Sequence, residues 1–314
     1  MSEKDAVCYV ECPRDAWQGL AGFIPTEVKV RHLGALLDAG FRSLDMGSFV
    51  SPKAVPQLAD TEAVLGALLG ARSPRETPRE VDLLAIVANE RGLARATQTR
   101  VHRVGYPLSV NETFQRRNTG RGLVDSWALA ETMQRESAAR GLGFTVYLSM
   151  GFGNPYGETW RPSDTADAVA RLRELGVRDV ALADTVGTAD AHKVDAVLSA
   201  VEEPAPLGLH LHARPDAWQE PVEVALSHGL RWFEGTLAGV GGCPFAADDL
   251  VGNLPTERVV PFLEDRGFRT GVDLERLPAL AEHAAALSAR YAEPHQSRAH
   301  QGGDREDTPQ GEVF

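Results

Sequence analysis

Cysteine is scarce in this chain. Cys8, Cys12 and Cys243 are odd in number and unevenly spread over 314 residues. That argues against a disulfide framework and makes a reducing compartment the expectation. Long apolar runs are missing as well, so no segment reaches the length of a membrane span. Residues 1–7 hold no apolar stretch of the kind that marks a secretory leader. A soluble, cytoplasmic protein is therefore expected. Basic charge is outweighed: 32 Lys and Arg face 44 Asp and Glu, a formal charge of −12. No run of Lys and Arg offers a stripe for a phosphate backbone, so a nucleic-acid partner is disfavoured. There is no internal repeat.

What is present is ordinary globular composition in a chain long enough to bury a full core without staples. Short apolar runs at 6–11, 41–45, 82–87, 100–105, 144–149, 179–182, 207–211 and 231–233 read as strands. Helical spacing alternates with them. The clearest case is 25–39, opened by Pro25, carrying Val30, Leu33, Leu36 and Leu37 at helical spacing and ended by Gly40. Further helices are expected at 61–69, 123–140, 163–175, 189–200, 216–228 and 256–266, with a weak one near 90–97. Eight such units predict an α/β fold, a (β/α)8 TIM barrel, with an open doubly wound sheet as the competing topology. The helical stretch 277–291 lies outside the eight units. One domain is therefore expected over 1–292, comprising the barrel and a C-terminal helical extension. The polar residues 293–314 read as a disordered tail, and 70–80 as a polar loop.

The polar residues fall in a pattern. Arg14 and Asp15 follow the first strand, Asp45 ends the second, and Asn89 and Glu90 follow the third. Asp184 follows the sixth, His210 and His212 end the seventh, and Glu234 follows the eighth. In a parallel barrel these strand ends converge on the face where barrel active sites sit. Charged residues flanking apolar strands account for part of this without any function. In a strand, His210 and His212 point to one face about 7 Å apart and can share a metal. Taken alone, a His-x-His pair is more often structural. Asp15 would complete a mixed nitrogen and oxygen site. Gly239-Val240-Gly241-Gly242-Cys243-Pro244 is too flexible for a helix or strand interior and suits a mobile loop against a ligand. A bystander cysteine in a glycine turn is as good a reading of that segment by itself. The lysine of a phosphate-binding loop is missing from it.

Six segments, in order, resemble the 3-hydroxy-3-methylglutaryl-coenzyme A lyase family. They are Pro13-Arg14-Asp15, Ser48-Phe49-Val50-Ser51-Pro52-Lys53-Ala54-Val55-Pro56-Gln57, Ala183-Asp184-Thr185-Val186-Gly187, His210-Leu211-His212, the cysteine loop from Thr236 to Phe245, and Gly252-Asn253-Leu254-Pro255-Thr256-Glu257. The likeness spans about residues 7–290. The Arg-Asp and His-x-His pairs are shared with isopropylmalate and homocitrate synthases; the cysteine loop points to the lyase branch. The resemblance implies a carbon–carbon lyase that cleaves 3-hydroxy-3-methylglutaryl-CoA, or a close 3-hydroxy-3-alkylglutaryl-CoA, to acetyl-CoA and acetoacetate. It implies Mg²⁺ or Mn²⁺ on Asp15, His210 and His212, with Asn253 as a fourth ligand or supporter. Arg14 would stabilise the thioester enolate, Cys243 would transfer a proton, and Asp45 and Asp184 would tune the polar network. It also implies an acyl-CoA thioester as partner, in leucine degradation or ketone-body formation; a homo-oligomer, taken as a dimer, is expected. A condensing synthase and a non-catalytic metal- or acyl-binding barrel are the rival readings. The chain departs from the family at Ala16-Trp17, where Gly-Leu is usual, and at Asp45, where Glu is usual. It departs again at Gly153-Asn154-Pro155-Tyr156-Gly157 and Ala213-Arg214-Pro215-Asp216. All border the expected pocket and bear on the acyl group.

Overall fold

The computed structural model describes residues 5–70, 81–241 and 251–293. Eight parallel strands form one sheet: β1 (Cys8–Glu11), β2 (Ser43–Ser48), β3 (Asp82–Ile86), β4 (Arg103–Ser109), β5 (Gly143–Ser149), β6 (Asp179–Asp184), β7 (Gly208–Ala213) and β8 (Trp232–Gly235). Each pairs with its sequence neighbours, and β8 pairs with β1, so the sheet closes into a barrel. Runs such as Leu83-Leu84-Ala85 in β3 are buried throughout, as strands covered on both faces require.

Helices α1 (Pro13–Gln18), α2 (Thr26–Asp38), α3 (Thr61–Gly70), α4 (Glu90–Ala96), α5 (Glu112–Thr119) and α6 (Leu123–Ala139) accompany the first half. Helices α7 (Pro162–Glu174), α8 (Ala191–Ala200), α9 (Gln219–Ser227), α10 (Thr256–Asp265) and α11 (Leu277–Tyr291) follow. Helix α2 shows why the pattern works: Leu33, Leu36 and Leu37 lie on one buried face. No helix among the described residues is long and apolar enough to cross a membrane.

The expected strands and helices are found, with shifted edges. Strand β2 runs on to Ser48, so Asp45 sits inside the strand rather than at its end. Strand β8 includes Glu234. Strand β4 lies at Arg103–Ser109 instead of 100–105, although it contains Pro107. Its pairing with β3 stops at Gly105. Gly105 directs its carbonyl to that side, accepting from Val87 N–H, and Pro107 faces the same way beyond the last pair. The missing N–H therefore has no ladder bond to break.

Two helices were not expected. Helix α1 has six residues, too few for a period. Helix α5 is polar, held instead by its ends: Asn111 accepts from Phe114 N–H at 2.8 Å, and Gly120 closes it with φ +70°. The expected polar loop at 70–80 lies outside the described residues from 71 onward, and the expected disordered tail lies outside them from 294.

Candidate active site

Helix α1 follows directly on β1, with Pro13 in its first turn. It therefore delivers Arg14 and Asp15 over the C-terminal mouth of the barrel. Its back is fixed by Trp17, whose ring lies edge-on to His32 of α2 at 5.6 Å. His32 in turn stacks on His283 of α11 at 5.5 Å. Burial, with His283 beside it, pushes the His32 imidazolium pKa down to about 3, so His32 stays neutral. The departure from Leu to Trp at position 17 thus ties the helix that carries Arg14 and Asp15 to the C-terminal extension.

Arg14 is a hub. Its Nε and one terminal nitrogen donate to Asp45 Oδ2 at 2.9 and 2.5 Å, and the other donates to Asp15 Oδ1 at 2.9 Å and Gln18 Oε1 at 3.1 Å. This fork needs a guanidinium; an ammonium has no planar pair of donors. Burial raises the Asp45 carboxyl, and Arg14 offsets only part of that, leaving it at about 6. Burial alone would raise Asp15 too. Arg14 and His212 outweigh it and hold Asp15 well below the usual carboxylate range.

His210 and His212 share the inward face of β7, ring centroids 5.5 Å apart. A two-residue strand, β9 (Gly252–Asn253), runs antiparallel to β7 and sets Asn253 opposite His212. The Asn253 amide donates to Asp15 Oδ2 at 2.7 Å. His212 Nε2 lies 3.7 Å from the same oxygen. Ligand atoms of Asp15, His210 and His212 all fall within 4.8 Å of one another. Both ring nitrogens of His212 and Oδ1 of Asn253 are buried without a hydrogen-bond partner. Orphaned buried lone pairs are costly unless something occupies them. One carboxylate, two imidazoles and an amide oxygen form a mixed set that fits a divalent cation.

The glycine loop is anchored on this cluster. Gly241 has φ +92°, and a Cβ there would lie 2.7 Å from Asp15 O and 2.8 Å from Ala16 Cα. Its chain thus rests on the backbone of α1, which only glycine allows. Glu11, in β1, accepts from Leu237 N–H at 2.8 Å and from the Thr256 hydroxyl at 2.6 Å, joining both roots of the loop. Burial raises the Glu11 pKa to about 8. Cys243 lies outside the described residues.

Asp184 ends β6, with Ala189 and Val186 N–H groups donating to its carboxylate at 2.6 and 3.2 Å. Burial raises its pKa despite these bonds. Its carboxylate thus shapes the turn beside His212. Asn89 caps α4 by accepting from Gly92 N–H. A cavity of about 530 Å³ opens at the cluster, lined by Arg14, Asp15, His210 and His212 together with Ile86, Pro107 and Tyr147.

The HMGL-like family profile matches residues 8–283. The chain belongs to the HMGL-like family. It is 33% identical over 265 residues to the cytoplasmic 3-hydroxy-3-methylglutaryl-CoA lyase of Danio rerio, covering 83% of this chain and 77% of that protein. The HMG-CoA lyase structure from Brucella melitensis superposes with TM-score 0.83 at 32% identity, over 91% of this chain and 99% of that one. An Acinetobacter baumannii HMG-CoA lyase, solved in complex with coenzyme A and 3-methylmalate, gives TM-score 0.82 at 27% identity, covering 98% and 100% of the two chains.

Sequence reading named every member of the Asp15–His210–His212–Asn253 cluster, and the structure brings all four of this HMGL-like chain together. It gave no role to Gln18, which donates to Asp15 Oδ1 at 2.5 Å, or to Tyr147, whose ring stands edge-on to His210 at 5.9 Å. It noted Glu234 only as a strand-end acid. Gln18 meets Arg14 and Asp15 one turn along the six-residue α1, whose helical spacing the sequence did not reveal; no local spacing marks Tyr147 or Glu234, and the barrel's curvature places them.

Proposed function

We propose that this HMGL-like chain is a divalent-metal-dependent carbon–carbon lyase acting on 3-hydroxy-3-methylglutaryl-CoA, or a close 3-hydroxy-3-alkylglutaryl thioester. The observation that carries this reading is the convergence of Asp15, His210, His212 and Asn253, several of their lone pairs unpaired, beside the fixed cation of Arg14. The coenzyme A complex of the Acinetobacter baumannii relative supports a thioester in the same mouth. The oxygen-containing donor set fits Mg²⁺ or Mn²⁺. When bound, such an ion supplies a Lewis acid that acidifies a hydroxyl and orients its neighbours.

The chain's own groups then do the following. The Asp15 carboxylate, which keeps further lone pairs, takes the proton of the substrate's tertiary hydroxyl. The C2–C3 bond breaks, its electron pair moving onto the thioester as an enolate, while C3 becomes the ketone of acetoacetate. Arg14, held in place by Asp45 and Gln18, faces the growing negative charge on the thioester oxygen, a contribution of a few kcal/mol. Asp184 keeps the turn beside His212 in shape. Cys243, on the glycine loop, returns a proton to the enolate carbon to give acetyl-CoA.

Metal-stripped protein incubated with 3-hydroxy-3-methylglutaryl-CoA tests this. Acetyl-CoA and acetoacetate should appear in equal amounts only after Mg²⁺ or Mn²⁺ is added back. Homologous 3-alkyl thioesters define the acyl range. No cleavage of any of them, with condensation of acetyl-CoA onto 2-oxo acids instead, overturns the reading in favour of a synthase.

A further inference from the structure

Glu234 is fully enclosed between the active-site mouth and the opposite end of the barrel. Register sets it beside His210 on β7 and beside Val10 on β1. Its Oε2 lies 3.0 Å from His210 Nδ1 and 3.8 Å from the Cys12 thiol. Its Oε1 lies 3.0 Å from the Trp232 indole nitrogen and 3.2 Å from the Tyr147 hydroxyl. An indole N–H only donates, and a thiol and a phenol donate readily, so this carboxylate is surrounded by donors.

We infer that Glu234 is a positioning residue that fixes the tautomer and tilt of His210, keeping the proton on Nδ1 and the lone pair on Nε2 for a divalent cation. The physical basis is that a neutral imidazole has one donor and one acceptor nitrogen, and the partner of one decides the other. A carboxylate accepts and cannot donate, so Nδ1 must bring the hydrogen. Nε2 is then the ring's only lone pair, and His210 belongs to the cluster with Asp15 and His212. Tyr147 and Trp232 occupy the second carboxylate oxygen and stop the side chain from rotating away. A carboxylate behind a metal-binding histidine typically changes metal affinity 10- to 100-fold.

This inference rests on the metal-dependent reading above, and the experiment separates the two. Metal-free protein carrying ¹⁵N-labelled histidine is measured by NMR, and Mn²⁺ affinity is measured by electron paramagnetic resonance. Wild-type His210 should show the Nδ1–H tautomer. In Glu234→Gln the amide oxygen stays with the Trp232 and Tyr147 donors, so the amide NH₂ faces Nδ1. The tautomer should then invert, and the Mn²⁺ Kd should rise about 10- to 100-fold. Trp232→Phe removes a donor on Oε1 only and should keep the tautomer and hold Kd within about threefold, well below the change expected for losing the carboxylate.

An Nε2–H tautomer in the wild-type protein overturns the inference, even if Glu234→Gln fails to fold. So does an unchanged Mn²⁺ Kd in a folded Glu234→Gln. A Co²⁺-loaded protein whose thiolate absorption is lost in Cys12→Ser also overturns it, since Cys12, His210 and Glu234 would then be the ligands. Wild-type protein that binds no divalent cation sinks the lyase reading instead, and the tautomer still decides the role of Glu234.

Discussion

Gly241→Ala probes the contact between the glycine loop and the helix that carries Arg14 and Asp15. The added Cβ would sit 2.7 Å from Asp15 O and 2.8 Å from Ala16 Cα, both backbone atoms that cannot swing aside. Ordinary contact begins near 3.4 Å, so loop root and helix must separate by roughly 0.7 Å, more than the ~0.5 Å tolerance of a productive site. Left-handed φ adds about 1–2 kcal/mol of strain for an L-residue, and overpacking a further ~1–3 kcal/mol. The expected loss of stability is therefore about 2–5 kcal/mol, the sum of those two effects. Displacing Asp15 by this much should weaken metal binding and lower kcat, each by at least ~10-fold, since a 1 Å misplacement costs on the order of 100-fold.

Gly267→Ala supplies the comparison. Gly267 has φ +83° but nothing within 4 Å of its would-be Cβ, so it carries the strain without the contact. Both variants are melted, titrated with Mn²⁺ and assayed for thioester cleavage. Gly267→Ala should lose about 1–2 kcal/mol and keep wild-type metal affinity and kcat. Gly241→Ala behaving like Gly267→Ala in all three measurements would refute the claim that the loop root positions Asp15.

Arg14→Lys keeps the charge but cannot reach Asp45, Asp15 and Gln18 at once, so kcat should fall about 100- to 1000-fold with KM nearly unchanged; steady-state kinetics showing wild-type kcat would make Arg14 structural. Cys243→Ser, assayed with saturating metal, should slow cleavage by roughly 100-fold or more, the usual worth of a positioned proton-transfer group, whereas a near wild-type rate moves that role elsewhere. Glu11 has a folded pKa of about 8 against an ordinary value of 4.5. Between these values the folded state holds a proton that the unfolded state has lost, so this group's stabilisation is fully present below about pH 4.5 and fades as pH rises through 8. Urea denaturation of metal-free protein should show that decline, and Glu11→Gln, which keeps an acceptor for Leu237 N–H, should flatten it; identical pH profiles would rule it out.

The sequence alone determined the architecture and the metal-ligand candidates. Alternating apolar runs and helical stripes are local signals, and a parallel barrel turns strand order into site position without further information. Asp15, His210 and His212 were therefore legible: each ends or follows a strand, and the His-x-His step of two puts both rings on one face. Asn253 came from resemblance, since a two-residue antiparallel strand beside β7 leaves no period to read. Tertiary structure alone decided the supporting contacts. Asp45 meets Arg14 across 31 positions, Glu11 meets Thr256 across 245, and Glu234 joins His210 to Cys12, Tyr147 and Trp232. The physical reason is that a carboxylate's role depends on which donors closure of the barrel brings around it, and no spacing along one strand records its neighbours on three others.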